Sequence, residues 1–164
     1  MRAFDPSRLI ETLTKHQVEY VVIGGMAGAL HGASAATYLL EVCYRATDKN
    51  VARLTGALAA MNARLRGVEN DSSAQLNEES FRSGNTVMTI TDFGDLDCVE
   101  RPLGSAGYDE LFEQSREMEL GPDTPFQVCS VEHLITMNRS AHRPQDLIAA
   151  DALEHIKRIA ERSH

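Results

Sequence analysis

Two consecutive glycines, Gly24 and Gly25, end the apolar run EYVVIG and open a stretch of small residues, MAGALHG. A strand that turns into a helix on glycine lets backbone amides approach a phosphate and aims the helix start at it. The same pattern also describes a tight turn with no ligand. Two acids add to it. Glu41 is the charge inside the apolar segment LLEVCY, residues 39–44, and a carboxylate there needs either a metal ion or an Arg or His partner. Asp97 belongs to DLDCVE, where period-two geometry groups it with Asp95 and Val99, as it groups Glu41 with Leu39 and Cys43. If the two strands are neighbours, Asp97 faces Glu41 and the pair offers oxygen ligands to a hard cation. Mg2+ suits such a pair because it keeps waters and shares one or two protein carboxylates with substrate phosphates. Asp95 reads as a solvated hairpin residue. Ser34 and Thr37, in the loop before residue 39, carry hydroxyls that donate to phosphate or cap backbone.

Other chemistries find less support. His16, His31, His133, His142, His155 and His164 form no H-x-x-x-H or H-E-x-x-H pair. His31, next to Gly32, reads as a structural histidine or a lining of the phosphate site. Cys43, Cys98 and Cys129 are odd in number and far apart in apolar contexts, the pattern of buried free thiols. There is no G-x-S-x-G elbow. An aromatic content of 5% without Trp gives no base-stacking platform.

These residues need elements to hold them. Asp5-Pro6 starts a helix to about His16 with Leu9, Ile10 and Leu13 on its buried face. EYVVIG and LLEVCY read as buried strands. Asp48 is expected to cap a helix over about 49–62 carrying Val51, Leu54, Leu58 and Met61, and residues 66–80 to form a polar mobile loop. TVMTIT and DLDCVE make an antiparallel hairpin through Phe93 and Gly94. A helix over 107–117, extended pieces around Gly121-Pro122-Asp123, a helix from the Ser130 cap to Ala141, and a last helix from Pro144 with Leu147, Leu153, Ile156 and Ile159 complete the chain. The sum is an α/β or α+β domain, a small mixed sheet with helices packed on it.

The 164 residues suit one domain, 1–164, with no internal linker or repeat. Apolar content of 43% and charged content of 24% are those of a globular protein, and no apolar run approaches the ~20 residues of a membrane span. The polar start MRAFDPSRLIETL supplies no secretory core, so cytoplasm is the expected location, with no membrane partner. A formal charge of -8 opposes nonspecific nucleic-acid binding. Two local basic patches remain, Arg64 with Arg66, and Arg139, Arg143, Lys157, Arg158 and Arg162. Each reads as a solvated helix surface or as a phosphate-facing patch.

Four segments in order, YVVIGGMAGALHG, GASAATYLLEVCYR, FGDLDCVERP and HLITMNRSAHRPQDLIAADALE, together resemble the AbiE-type abortive-infection and MenT-type nucleotidyltransferase toxins of the DNA polymerase β-like superfamily. The resemblance covers roughly residues 5–160 and implies a nucleotidyltransferase fold, with C-terminal helices packed on the core. It implies Mg2+-dependent transfer of a nucleoside monophosphate from a nucleoside triphosphate to RNA, transfer RNA in the MenT-type toxins, and a cognate antitoxin as partner. Glu41 and Asp97 would be the catalytic and metal-binding residues. Gly24, Gly25, Ser34, Thr37, Arg143 and Asp146 would bind nucleotide.

The resemblance also exposes departures. Ala35 stands where a basic residue is usual, Leu39 and Glu41 where paired aspartates are usual, Asn138 and Gln145 where lysines are common, and Ala149 where a further Asp is common. Arg143, Asp146 and Asp97 match. Leucine cannot bind Mg2+, and the extra methylene of glutamate moves an oxygen by about the ~1 Å that matters in a transfer site. Three readings follow: an active or weakly active nucleotidyltransferase, a noncatalytic descendant binding nucleotide or a protein partner, and a disarmed variant of an active parent.

Overall fold

A computed structural model describes residues 3–34, 36–68 and 75–163. Its first element follows from the sequence. Asp5 accepts a hydrogen bond from the Arg8 amide (3.2 Å), Pro6 occupies the first helical position, and α1 runs Pro6–Lys15 with Leu9, Ile10 and Leu13 buried. Strand β1, Tyr20–Ile23, is buried along its whole length. Helix α2, Gly24–Leu30, begins on the first glycine itself, so no separate turn stands between strand and helix.

Strand β2 is Leu39–Tyr44. Helix α3, Asp48–Ala60, is capped by Thr47, whose hydroxyl accepts from the Asn50 amide (3.2 Å); the expected cap Asp48 is the first helical residue. Thr47 takes the role because its extended backbone aims the hydroxyl at the third amide, while Asp48 favours the helix start through charge alone. Asn50 is buried and fully used, accepting from the Glu19 amide (2.7 Å) and donating to the carbonyls of Glu19 (2.9 Å) and Arg45 (2.7 Å).

The expected loop over 66–80 is partly structured. A two-residue strand β3, Arg64–Leu65, precedes it, and Glu78–Phe81 form a 3-10 turn capped by Asn77. Residues 69–74 lie outside the described residues. The hairpin of β4, Val87–Thr91, and β5, Gly94–Val99, is antiparallel as expected. Helix α4 is Tyr108–Glu113, shorter than the expected 107–117. Strands β6, Arg116–Glu119, and β7, Pro125–Val128, lead to α5, Val131–Ala141, capped by Ser130, and α6, Pro144–Arg162.

The strands form one mixed sheet of order β3-β4-β5-β2-β1-β7-β6. Strand β2 lies at its centre, antiparallel to β1 and parallel to β5. Odd and even residues of these strands face opposite sides. On one side Leu40, Val42, Leu96 and Cys98 are fully buried with Leu9 and Leu13 of α1 and Leu54 and Leu58 of α3. The other side carries Glu41 and Asp97 and is covered by α2, α5 and α6, which pack on one another. This is the expected mixed sheet flanked by helices.

The three cysteines are buried free thiols, as expected, and burial pushes Cys43 and Cys129 up to about 12. Among the described residues no helix is long and apolar enough to cross a membrane. Of the apolar positions expected on α6, Leu153 is buried, whereas Leu147 and Ile159 are exposed.

Truncating the centre of the buried face should be costly. Leu40→Ala should lower unfolding free energy by about 2–5 kcal/mol in urea titrations, while Tyr38→Ala, 78% exposed one strand end away, should change it by less than about 0.5 kcal/mol.

Candidate nucleotide site on the central strands

The register of β2 and β5 answers whether the two acids meet. Glu41 is paired directly with Asp97 across the parallel ladder, and Leu39 with Asp95. Across the antiparallel ladders Asp97 is opposite Met88, and Glu41 is opposite Ile23, the last residue before the glycines. Met88, Asp97, Glu41 and Ile23 thus form one row on one face, with strands about 4.8 Å apart.

At the end of that row Gly24 has a left-handed backbone, φ +68°. A Cβ built there would stand 2.7 Å from Glu41 Oε1 and 2.8 Å from its Cδ. The glutamate side chain therefore lies against the backbone at the start of α2, in space that only glycine leaves open. No side chain among the described residues hydrogen-bonds or ion-pairs with Glu41, so the expected Arg or His partner is not found within those residues. Burial raises its pKa, and the charge of Asp97 adds to that; Arg143 and Arg66 pull the other way.

Asp97 has a partner that sequence reading missed. Arg66 follows the short strand β3, its amide donates to the Met88 carbonyl (2.9 Å), and its Nη1 donates to the Thr89 carbonyl (3.3 Å). From that anchor the guanidinium spans two acids. Nη1 lies 3.2 Å from Asp95 Oδ2, and Nη2 lies 2.9 Å from Asp97 Oδ1 and 3.2 Å from Oδ2. The angle makes the Oδ2 contact the hydrogen bond, so buried Oδ1 is close to charge without receiving an N–H. Asp97 still has a raised pKa, because desolvation outweighs the guanidinium. Asp95, expected to be solvated, is an ion-pair partner. Arg66, expected on a solvated helix surface or in a phosphate-facing patch, instead leaves a sheet edge and is only 27% exposed. The visible signal is an Arg 31 residues before Asp97 in the chain, a separation that no local spacing rule connects.

The other site candidates divide into two groups. Arg143 and Asp146 join Glu41, Gly24 and Gly25 around a cleft of about 360 Å³, with Leu134 and Met137 of α5 on its apolar wall. Arg143 donates to both carboxylate oxygens of Asp146 (2.6 and 3.2 Å) across the start of α6. Its own side chain is 67% exposed, against 11% for Asp146. Ser34 lies in a neighbouring hollow of about 320 Å³ that shares Gly24, Gly25, Asn138 and Asp146 and adds Gln145 and Ala149. Thr37 sits beside Gly25 but donates its hydroxyl to the Leu39 carbonyl (3.0 Å), a local backbone role. His31 Nε2 donates to the Cys129 carbonyl (2.8 Å), the structural reading of that residue. Ala35 lies outside the described residues.

The remaining basic residues do not converge on this cleft. Arg139 pairs with Glu154 (3.2 Å) and Lys157 approaches Glu132 (4.0 Å). No protein-family model matches the chain, and no curated protein matches it.

The Mg2+ pair implied by the resemblance is poorly matched by this donor set. Leu39 presents no oxygen beside Glu41, Asp97 is already engaged by Arg66, and among the described residues no group of three or more His, Cys, Asp or Glu side chains is placed to hold a metal. The residues do not fit a metal pair.

Two outcomes follow from Glu41. Its raised pKa means that the folded chain holds the proton more tightly than the unfolded chain between the ordinary 4.5 and the raised value, so stability falls as pH climbs through that window. Glu41→Gln should remove this slope: in denaturant titrations it should match the native chain below the ordinary 4.5 and be more stable than the native chain at neutral pH. Gly24→Ala should cost about 1–3 kcal/mol, from the left-handed backbone and from displacing Glu41. In a Glu41→Ala background only the backbone share, about 1 kcal/mol, should remain.

Proposed function

We propose that this chain is a nucleotidyltransferase-like protein that binds a nucleoside triphosphate beside Gly24 and Gly25 and has lost efficient nucleotidyl transfer. The observation that carries this reading is the pairing of Arg66 with Asp97 next to Leu39, which consumes one carboxylate and leaves the position beside Glu41 without an oxygen. The binding half of the reading is supported by the cleft itself. At about 360 Å³ it is within the range of small-molecule sites, its floor includes the two glycines, and Arg143 offers an exposed guanidinium at its rim. Burial favours the neutral form of Glu41, which softens repulsion of an incoming polyphosphate.

A second reading, transfer of a nucleoside monophosphate to RNA as in the AbiE-type and MenT-type toxins, is favoured by a different observation. Glu41 and Asp97 are in register on adjacent strands and Glu41 touches the glycine bend, the arrangement that reading needs. Transfer RNA as acceptor, Mg2+ and an antitoxin partner belong to this reading and rest on the resemblance.

One experiment separates the two. The native protein and a Leu39→Asp/Glu41→Asp/Arg66→Gln version are incubated with labelled nucleoside triphosphates, Mg2+ and total RNA, and nucleotide binding is measured in parallel by calorimetry. The binding reading expects both proteins to bind nucleotide and only the restored version to label RNA, by at least about 100-fold over the native chain. Labelling by the native chain that Asp97→Ala abolishes would establish the second reading instead. Absence of nucleotide binding by either protein would overturn both.

A further inference from the structure

Helix α6 has two working faces, and the fold covers one of them. It packs on α5, with Asp146, Ala150 and Leu153 buried. The opposite side of the helix holds Gln145, Ile148, Ala152, His155, Ile159 and Arg162, all exposed, at alternating spacings of three and four residues. Ile148 is 71% exposed and Ile159 50%. Such an alternation is the seam by which one helix lies along another, and here its apolar members project into solvent. The order of the residues says what fits it. The seam is symmetric about the point between Leu153 and Glu154: Ile148 and Ile159 are equidistant from it, as are Ala152 and His155, and Gln145 and Arg162. Two copies laid antiparallel about a twofold axis through that point match Ile148 with the partner's Ile159 at both ends, and the small Ala152 with the partner's His155 near the middle. One flank of the seam carries Asp151 and Arg158, both exposed and neither in an ion pair among the described residues. In an antiparallel pair that flank meets itself, so Asp151 approaches the partner's Arg158 and Arg158 approaches the partner's Asp151. A parallel pair brings opposite flanks together and forms neither contact.

We propose that the exposed face of α6 is the interface of a homodimer, in which two copies of this chain pack antiparallel along Ile148, Ala152, His155 and Ile159 and exchange reciprocal ion pairs between Asp151 and Arg158. A different partner has no need of a surface that complements itself in both apolar order and charge; a second copy requires it. From Gln145 to Arg162 the seam is about 25 Å long. A single helix pair of that length buries less than about 1,200 Å² in total, the size of weak, reversible complexes. The interface shares no side chain with the cleft lined by Glu41, Arg143 and Asp146, so it stands or falls apart from nucleotide binding.

Sedimentation velocity on the whole chain from about 1 to 500 µM should show a reversible monomer–dimer equilibrium with a dissociation constant on the order of 10–100 µM. Ile148→Asp places a charge in the seam and should weaken the dimer at least about tenfold. Asp151→Arg and Arg158→Asp should each weaken it by about tenfold, because either one sets like charges against each other across the interface. Asp151→Arg/Arg158→Asp has the native composition and net charge with the two ends of each ion pair exchanged, and should return the constant to within about threefold of the native value. A native chain that stays monomeric at the highest concentration overturns the proposal, as does a dimer indifferent to Ile148→Asp. If Ile148→Asp does not fold, the charge-exchange set decides alone: single changes without effect, or a double change that recovers nothing, overturn the antiparallel pairing. Capture of a foreign helix on this face by a chain that does not dimerise overturns it as well.

Discussion

The site is governed by the burial of like charges on adjacent central strands. Parallel pairing of β2 with β5 puts Glu41 beside Asp97, and the same register puts Asp95 one row away. A sheet cannot relieve such a contact by sliding, because a one-residue shift would turn Leu40, Val42 and Leu96 out of the core and expose them. The carboxylates are therefore fixed by the packing of the opposite face, and their repulsion has to be met where they stand. The chain meets it in three ways. Burial lifts the pKa of Glu41 and of Asp97 toward the neutral form, Arg66 lends charge to Asp95 and Asp97, and Gly24 vacates the volume that the Glu41 side chain occupies.

Much of this frame was legible in the sequence because it is local. The β-branched run before Gly24 and the alternation in LLEVCY identify β1 and β2, Asp5-Pro6 and Ser130 mark helix starts, and Gly94 marks a hairpin. Period-two geometry also gave the correct face for Glu41 and Asp97, so their meeting required only that the two strands be neighbours. What escaped was nonlocal or short. A two-residue strand carries too little periodicity to be recognised, and β3 exists because its backbone pairs with Thr89 and Ile90, not because Arg64 and Leu65 prefer to be extended. The cap of α3 escaped for a finer reason: Thr47 and Asp48 are both capping types, and only backbone geometry chooses between them.

Missing β3 meant missing Arg66, and that changed the reading of the acids. With Arg66 on a solvated helix or in a phosphate-facing patch, Asp97 is a free carboxylate awaiting a metal. With Arg66 held at the sheet edge, the same aspartate is half of an ion pair that is 11% exposed on the acid side. Asp95, still 39% exposed, gains the same guanidinium as an ion-pair partner. The functional weight of an acidic strand thus depended on one cation, 31 residues away from Asp97 in the chain, and composition or charge counts could not place it.

Leu39 completes the physical picture. A carboxylate at that corner would sit beside Asp95 and diagonal to Asp97 on a face already holding three acids and one directly bridging guanidinium. Without a bound cation, a fourth charge there would add repulsion and desolvation that Arg66 alone does not offset. Leucine removes that cost. Arg66 and Leu39 are coherent as a pair: one brings a positive charge to Asp95 and Asp97, and the other adds no further acid to the same face.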